Sequence, residues 1–205
     1  MVEQLQKEGG HLANEDEKAK LKAVMWDAEN HRTLDTVARA ASVLAEKAGF
    51  AIGPDKKFII VRENRIGKEH VFSGEKLSPV LAVFQYKKGF DNALAMMAQI
   101  FEVGGKGHSC GIASYNDEHI SRLALVAPVS RIMVRQPNVS GNAGSFANGM
   151  PMTPSLGCGT WGGNIISENI TTKHYMNTTW VSRTIAEDKP TEQAVFGRFY
   201  DSETF

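Results

Sequence analysis

Between residues 58 and 135 the hydrophobic period switches repeatedly between that of a strand and that of a helix, and this alternation constrains the fold most. Phe58-Ile59-Ile60-Val61 and Val80-Leu81-Ala82-Val83-Phe84 are short apolar runs of strand type. A helix opened by Asp91 follows, with Leu94, Met97, Ile100 and Phe101 on one face and Gly104-Gly105 at its end. Next come a strand from His108 to Ala113, a helix opened by Asn116-Asp117-Glu118, and a strand from Val129 to Val134. Strands separated by single helices and short connections predict an α/β domain of three layers. Its mostly parallel sheet is expected near residues 58–62, 80–86, 108–114 and 129–135. Ahead of it the chain reads as helical over 15–28. A second helix is expected where Leu34, Val37, Ala38, Ala41, Leu44 and Ala45 form a stripe that Gly49 stops.

Composition narrows the class of function without naming one. In 205 residues, 23 basic side chains balance 23 acidic ones, so no net charge draws the chain to nucleic acid or to an anionic membrane. No window holds enough apolar residues in a row to span a bilayer. Cys110 and Cys158 are too few for a disulfide framework or a four-ligand zinc site, and no metal is expected. These features predict a cytoplasmic protein, in which the glycosylation-type triplets at Asn138, Asn169 and Asn177 are chance matches.

Residues 137–164 break every period. Seven glycines lie there among Asn, Ser and Pro, and apolar side chains such as Phe146 and Trp161 predict an ordered loop. Gly157-Cys158-Gly159-Thr160-Trp161-Gly162 has the spacing of a dinucleotide fingerprint but lacks the preceding strand and following helix, so that reading is rejected. Its glycines instead allow close approach of backbone to a ligand or to another segment. His108 and Cys110 lie two apart, on one face of a strand. Taken alone, such a cysteine is more often a buried structural residue than a nucleophile. Glu75 occupies a loop at the end of a strand; in isolation it is a solvated acid, yet α/β folds place ligand-binding groups at strand ends. His174 to Val181, rich in Thr and aromatics, reads as a strand, and Ala194-Val195-Phe196 as a docking turn.

Four stretches together carry a resemblance: Gly74-Glu75-Lys76-Leu77-Ser78-Pro79; Gly107-His108-Ser109-Cys110-Gly111; Leu156-Gly157-Cys158-Gly159-Thr160-Trp161-Gly162-Gly163-Asn164; and Ser167-Glu168-Asn169 with Lys173-His174. In this order they resemble the CoA-acylating branch of the aldehyde dehydrogenase superfamily, from about residue 10 to residue 183, leaning toward its sulfoacetaldehyde-oxidising members. The resemblance implies an aldehyde dehydrogenase catalytic domain over residues 1–172 and a C-terminal oligomerisation strand and tail over 173–205. It implies NAD or NADP as cofactor, coenzyme A as co-substrate, a short aldehyde such as sulfoacetaldehyde, and a homo-oligomer. Glu75 matches the family's glutamate on the nicotinamide ribose, and Leu77 stands where relatives often carry phenylalanine beside the nicotinamide. His108 matches a histidine implicated in acyl transfer, and the loop containing Gly157 and Gly159 would line the substrate end. Arg135, with Asn138, Ser140 and Asn142 as neutral donors, is a candidate for the anionic end of the aldehyde; the plainer reading is that it pairs with an acid or caps carbonyls. The family's nucleophilic cysteine and cofactor domain lie upstream of the matched region, and neither Cys110 nor Cys158 takes the nucleophile's place. Two function classes therefore stand: part of an acylating dehydrogenase that is inactive alone, or a non-catalytic remnant serving assembly or binding.

Overall fold

The computed structural model describes residues 1–201. The chain divides into two compact units, Met1–Thr171 and Thr172–Phe205.

In the first unit α1 (Val2–Lys7) leads into β1 (Gly10–Leu12), and α2 (Glu15–Met25) follows. A capping box fixes the start of α2. The Glu17 N–H donates to Asn14 Oδ1 at 2.9 Å, and the Asn14 N–H donates to the Glu17 carboxylate at 3.0 Å. The expected second helix is present only as α3 (Ala41–Lys47), ended as predicted at Gly49, whose N–H bonds the Glu46 carbonyl. Its predicted first turn is displaced. Leu34–Thr36 is a 3-10 turn, and Ala38 adopts a left-handed φ of 54° so that its N–H reaches the Leu77 carbonyl at 2.8 Å. A left-handed alanine costs about 1–2 kcal/mol, which this tertiary hydrogen bond helps offset. The apolar stripe is thus split: Ala41, Leu44 and Ala45 are buried, whereas Leu34 is 88% exposed.

β1, β2 (Phe58–Glu63) and β3 (Val80–Phe84) form a parallel sheet in that order, with Gly10 opposite Phe58 and Ile59 opposite Val80. The central strand supplies Ile59, Ile60 and Val61, all fully buried, and α2 and α3 add Leu21, Met25 and Leu44 to the core. α4 (Phe90–Gly104), β4 (Cys110–Ile112), α5 (Asp117–Val126) and β5 (Ile132–Val134) continue the predicted alternation. Asn116 caps α5 as expected, accepting from the Glu118 N–H at 2.9 Å. Asp91 does not cap α4: Gly89 takes that position, and the Asp91 carboxylate pairs with Arg122 on α5.

The named strands pair in parallel, but the single, mostly parallel sheet expected is two among the described residues. β4 and β5 pair only with each other among the described residues, with Cys110 opposite Ile132. α4 packs on α5 and on the 3-10 turn Val71–Ser73, and so does not return the chain to the edge of β3. α6 (Asn138–Asn142) then opens the glycine-rich region.

In the second unit the predicted strand His174 to Val181 does not form. Thr172–Tyr175 is a 3-10 turn, and residues 176–190 have no regular structure. A strand exists by its ladder, and no described segment of this chain runs alongside to pair with it. Ala194, Val195 and Phe196 lie in α7 (Glu192–Phe196), capped by Thr191.

Leu44→Ala should lower the unfolding free energy by about 2–5 kcal/mol, the usual cost of a core leucine. Leu34→Ala should change it by less than about 0.5 kcal/mol, as at ordinary surface positions. Urea unfolding of both variants measures this, and equal losses would restore the continuous helix.

Candidate functional site

The loop bearing Glu75 is clamped from beneath. Trp26 meets Phe72 edge-on at 4.9 Å between ring centroids, and the Arg32 guanidinium lies 4.9 Å above the Trp26 ring. Arg32 Nε donates to the Lys76 carbonyl at 3.0 Å, and its other nitrogens reach the Met25 and Thr36 carbonyls. Lys76 turns its ammonium back under the loop, donating to the Phe72 carbonyl at 3.0 Å and the Gly74 carbonyl at 2.7 Å. Burial pushes the Lys76 pKa down to about 8; Glu75 counters this, while Arg32 adds to it. Glu75 itself is exposed, at the rim of an open cleft of about 650 Å³ shared with Trp26, Glu29, Asn30 and Arg32. Leu77, 53% exposed, gives its carbonyl to Ala38. Because the strands are parallel, this loop meets β3 at its amino end, not at the carboxyl end where α/β sheets usually bind ligands.

α4 joins this loop to the second cluster. Its last turn packs on Val71–Ser73, and the chain then passes through Gly105 and Gly107 to His108. The His108 imidazole is not turned to Cys110: its Nδ1 lies 2.7 Å from Ser109 Oγ. Asn138 Nδ2 and Asn142 Nδ2 both donate to the same oxygen at 3.1 Å. Beneath them sits Arg131, 4% exposed, which sequence reasoning did not select. Its Nε donates to Asn169 Oδ1 at 2.6 Å, one terminal nitrogen to the His108 carbonyl at 3.2 Å, and the other to the Gly157 carbonyl at 2.8 Å. Asn169 Nδ2 in turn donates to the carbonyls of Asn142 and Pro151. Arg131, Asn169, Asn142, Ser109 and His108 thus close a polar ring that holds His108 by its backbone and by its imidazole. The available signal was an arginine inside the apolar run Val129 to Val134. Asn169 is 3% exposed with its amide engaged, which is incompatible with a glycan acceptor.

The glycine-rich segment is a tight antiparallel turn. Gly157 N–H donates to the Glu168 carbonyl at 3.0 Å, and Gly159 N–H donates to the Ile166 carbonyl at 2.9 Å. A side chain on Gly157 would strike the Ile166 backbone, and one on Gly107 would stand 2.8 Å from Cys158 Cβ. Cys110 is half-buried, and burial pushes its thiol up to about 11, so it stays protonated near neutral pH. Arg135 lies apart from Asn142, whose amide is committed to Ser109. It donates to the Ser114 carbonyl at 2.8 Å and stacks 5.0 Å from the Tyr115 ring, in a cleft at the carboxyl ends of β4 and β5.

No family model matches the chain. A sulfoacetaldehyde dehydrogenase from Acholeplasma sp is 40% identical over 188 residues, which is 90% of this chain and 39% of that protein. An acylating sulfoacetaldehyde dehydrogenase from Bilophila wadsworthia is 37% identical over 203 residues, 96% of this chain and 43% of that protein. The chain thus spans about two fifths of the length of these relatives. The solved structure of an acetylating aldehyde dehydrogenase from Geobacillus thermoglucosidasius superposes with a TM-score of 0.80 at 34% identity, covering 91% of this chain and 41% of that one.

Arg131→Met leaves three acceptors without their donors. At about 1–3 kcal/mol for each unsatisfied buried group, the variant should lose about 3 kcal/mol or more in urea unfolding. A loss below about 1 kcal/mol would mean that water replaces the guanidinium. Lys76 gives a pH signature. Its pKa falls from 10.5 in the unfolded chain to about 8 in the folded one, so between these values the unfolded state binds more protons. Stability should therefore gain a rising contribution from pH 8 to 10.5, absent in Lys76→Met. Identical pH profiles for the two proteins would contradict the clamp.

Proposed function

We propose that this chain, related in sequence to a region of the acylating aldehyde dehydrogenases, forms the acyl-transfer and cofactor-ribose part of such an enzyme. The observation that carries the reading is an exposed His108 held at its carbonyl by the buried Arg131 and at its imidazole by the half-buried Ser109. The substrate is a short aldehyde with an anionic end, such as sulfoacetaldehyde, as the names of the relatives suggest.

The residues fit the groups such a reaction needs. Glu75 is an exposed acid on a clamped loop, its carboxylate suited to accept hydrogen bonds from the ribose hydroxyls of NAD or NADP, with Leu77 as an apolar neighbour. When bound, that cofactor would supply the hydride acceptor, and coenzyme A the thiol that takes the acyl group. His108 orients the acyl group, and the turn through Gly157 and Gly159 lines the substrate end. Arg135 binds the anionic end. Only one of its nitrogens serves the Ser114 carbonyl, and the cleft at the carboxyl ends of β4 and β5 is where an α/β fold receives a ligand. Asn138 and Asn142 serve Ser109 instead, so Arg135 carries this role without them. A homo-oligomer formed through residues 174–181 and a cytoplasmic location complete the reading. Among the described residues no helix is long and apolar enough to cross a membrane.

A second reading makes the chain an assembly module. Phe146 at 98% exposure and Ile165 at 101% favour it, since such side chains await cover by other protein.

The test is formation of acyl-CoA from sulfoacetaldehyde, NAD or NADP, and coenzyme A. The assay is run with the chain alone and with the chain mixed with the amino-terminal portion of a relative. No turnover is expected alone, because neither cysteine here holds the nucleophile's place, and turnover is expected in the mixture. Stable association without turnover would favour the assembly module. In the active mixture, Arg135→Met should cost sulfoacetaldehyde about 10-fold in kcat/KM while sparing acetaldehyde. Equal losses on both substrates would remove Arg135 from substrate recognition.

A further inference from the structure

The Ser109 hydroxyl decides what the His108 imidazole can offer. A serine oxygen has two acceptor lone pairs and one proton. Asn138 Nδ2 and Asn142 Nδ2, both from α6, donate to it at 3.1 Å and so occupy both lone pairs. The remaining contact is His108 Nδ1 at 2.7 Å. With its acceptor capacity filled, Ser109 donates its proton there, and Nδ1 accepts.

We propose that Ser109 is a positioning residue that holds neutral His108 in the Nε2–H tautomer, so that the imidazole acts toward substrate as a hydrogen-bond donor. The inference rests on the reading of His108 as an acyl-transfer residue and gives that role a chemistry. An Nε2–H suits an acyl oxygen on which negative charge grows. Taking a proton from a thiol would require a bare nitrogen, and the one bare nitrogen is capped by Ser109. The Arg131 contact to the His108 carbonyl, and the Asn169 contact to the Asn142 carbonyl, keep the serine between its two amides.

A competing arrangement reverses the Asn138 amide. Asn138 Oδ1 is buried without a partner, and reversal would satisfy it with the serine proton. Reversal would also remove an amide N–H donor from Ser109 and bury the Asn138 NH₂ without that acceptor, and orphaned buried N–H groups are rarer than orphaned oxygens. His108 would then carry its proton on Nδ1, so the two arrangements predict opposite tautomers.

Long-range proton–nitrogen NMR on the ¹⁵N-histidine-labelled chain reads the tautomer directly. Spectra are taken at about pH 8.5, some two units above the ordinary histidine pKa of about 6.5. His108→Gln identifies the signals among the six histidines. The expected spectrum has His108 Nδ1 of the unprotonated type and Nε2 of the protonated type. Ser109→Ala should shift both nitrogens toward the averaged positions of a tautomer mixture, and Ser109→Thr, which keeps the hydroxyl, should restore the parental pattern. A protonated Nδ1 in the parent, or a Ser109→Ala spectrum identical to the parent's, overturns the proposal. Should Ser109→Ala fail to fold, the parental and Ser109→Thr spectra still decide. The readout needs no turnover, so failure of the acyl-CoA assay and failure of this inference are separate results.

Discussion

A guanidinium taken out of water without a carboxylate beside it has to be satisfied by neutral oxygens, and the second half of the first unit is arranged around that requirement. Arg131 draws three oxygens to itself, from His108, Gly157 and Asn169, which stand 23, 26 and 38 residues away in the chain. The planar fork makes this convergence directional: each nitrogen dictates where a separate segment must stop. Burial lowers the Arg131 pKa, opposed by the nearby Cys158, yet so basic a group stays charged. A lysine, with a single point of charge, would not hold three segments in a plane. Asn169 then relays the constraint to Asn142 and Pro151, and Asn142 relays it to Ser109.

The two halves of the site are built by different means. Around Glu75 the support is aromatic and cationic: Trp26 and Phe72 form an apolar floor, Arg32 stacks on it, and the Lys76 ammonium ties down the carbonyls behind the carboxylate. Around His108 the support is a network of neutral amides and one hydroxyl. The first leaves an exposed carboxylate whose field reaches Lys76 while the ammonium itself bonds the Phe72 and Gly74 carbonyls. The second leaves a ring with one nitrogen committed. Both place the candidate group on a short connection while the restraint comes from elsewhere in the sequence.

What the sequence made legible follows the range of the forces involved. Period and capping are local, so Phe58–Glu63, Val80–Phe84 and the Asn116 cap could be read from neighbouring residues. Leu34 and Val37 continued a helical stripe by the same local rule, but the Ala38 N–H went to Leu77, a partner 39 positions away. The division into two sheets escaped for the same reason, since where α4 packs is not written in α4. Motif residues such as Glu75 and His108 were found through resemblance, and the roles given to Glu75 and Leu77 at the cofactor, to His108 in catalysis and to Arg135, Gly157 and Gly159 at the substrate are proposals. Arg131 and Asn169 have no local pattern that marks their meeting, though an arginine in an apolar strand asks for acceptors somewhere.

The parallel register of the first sheet sets an order on how the polypeptide can acquire its structure. Gly10–Leu12 finds its hydrogen-bonding partner only in Phe58–Ile60, and Phe58–Glu63 finds its other neighbour only at Val80–Phe84. During synthesis Gly10–Leu12 therefore emerges long before Phe58–Ile60, its partner in this sheet. Closing a loop of that length precedes any reward from the ladder, which slows parallel sheets relative to hairpins. A nascent chain halted before residue 60 holds a helix pair over an unfinished core, with Leu21, Met25 and Leu44 lacking the strand that will cover them. Apolar surface left open in this way is prone to association until β2 arrives to cover it.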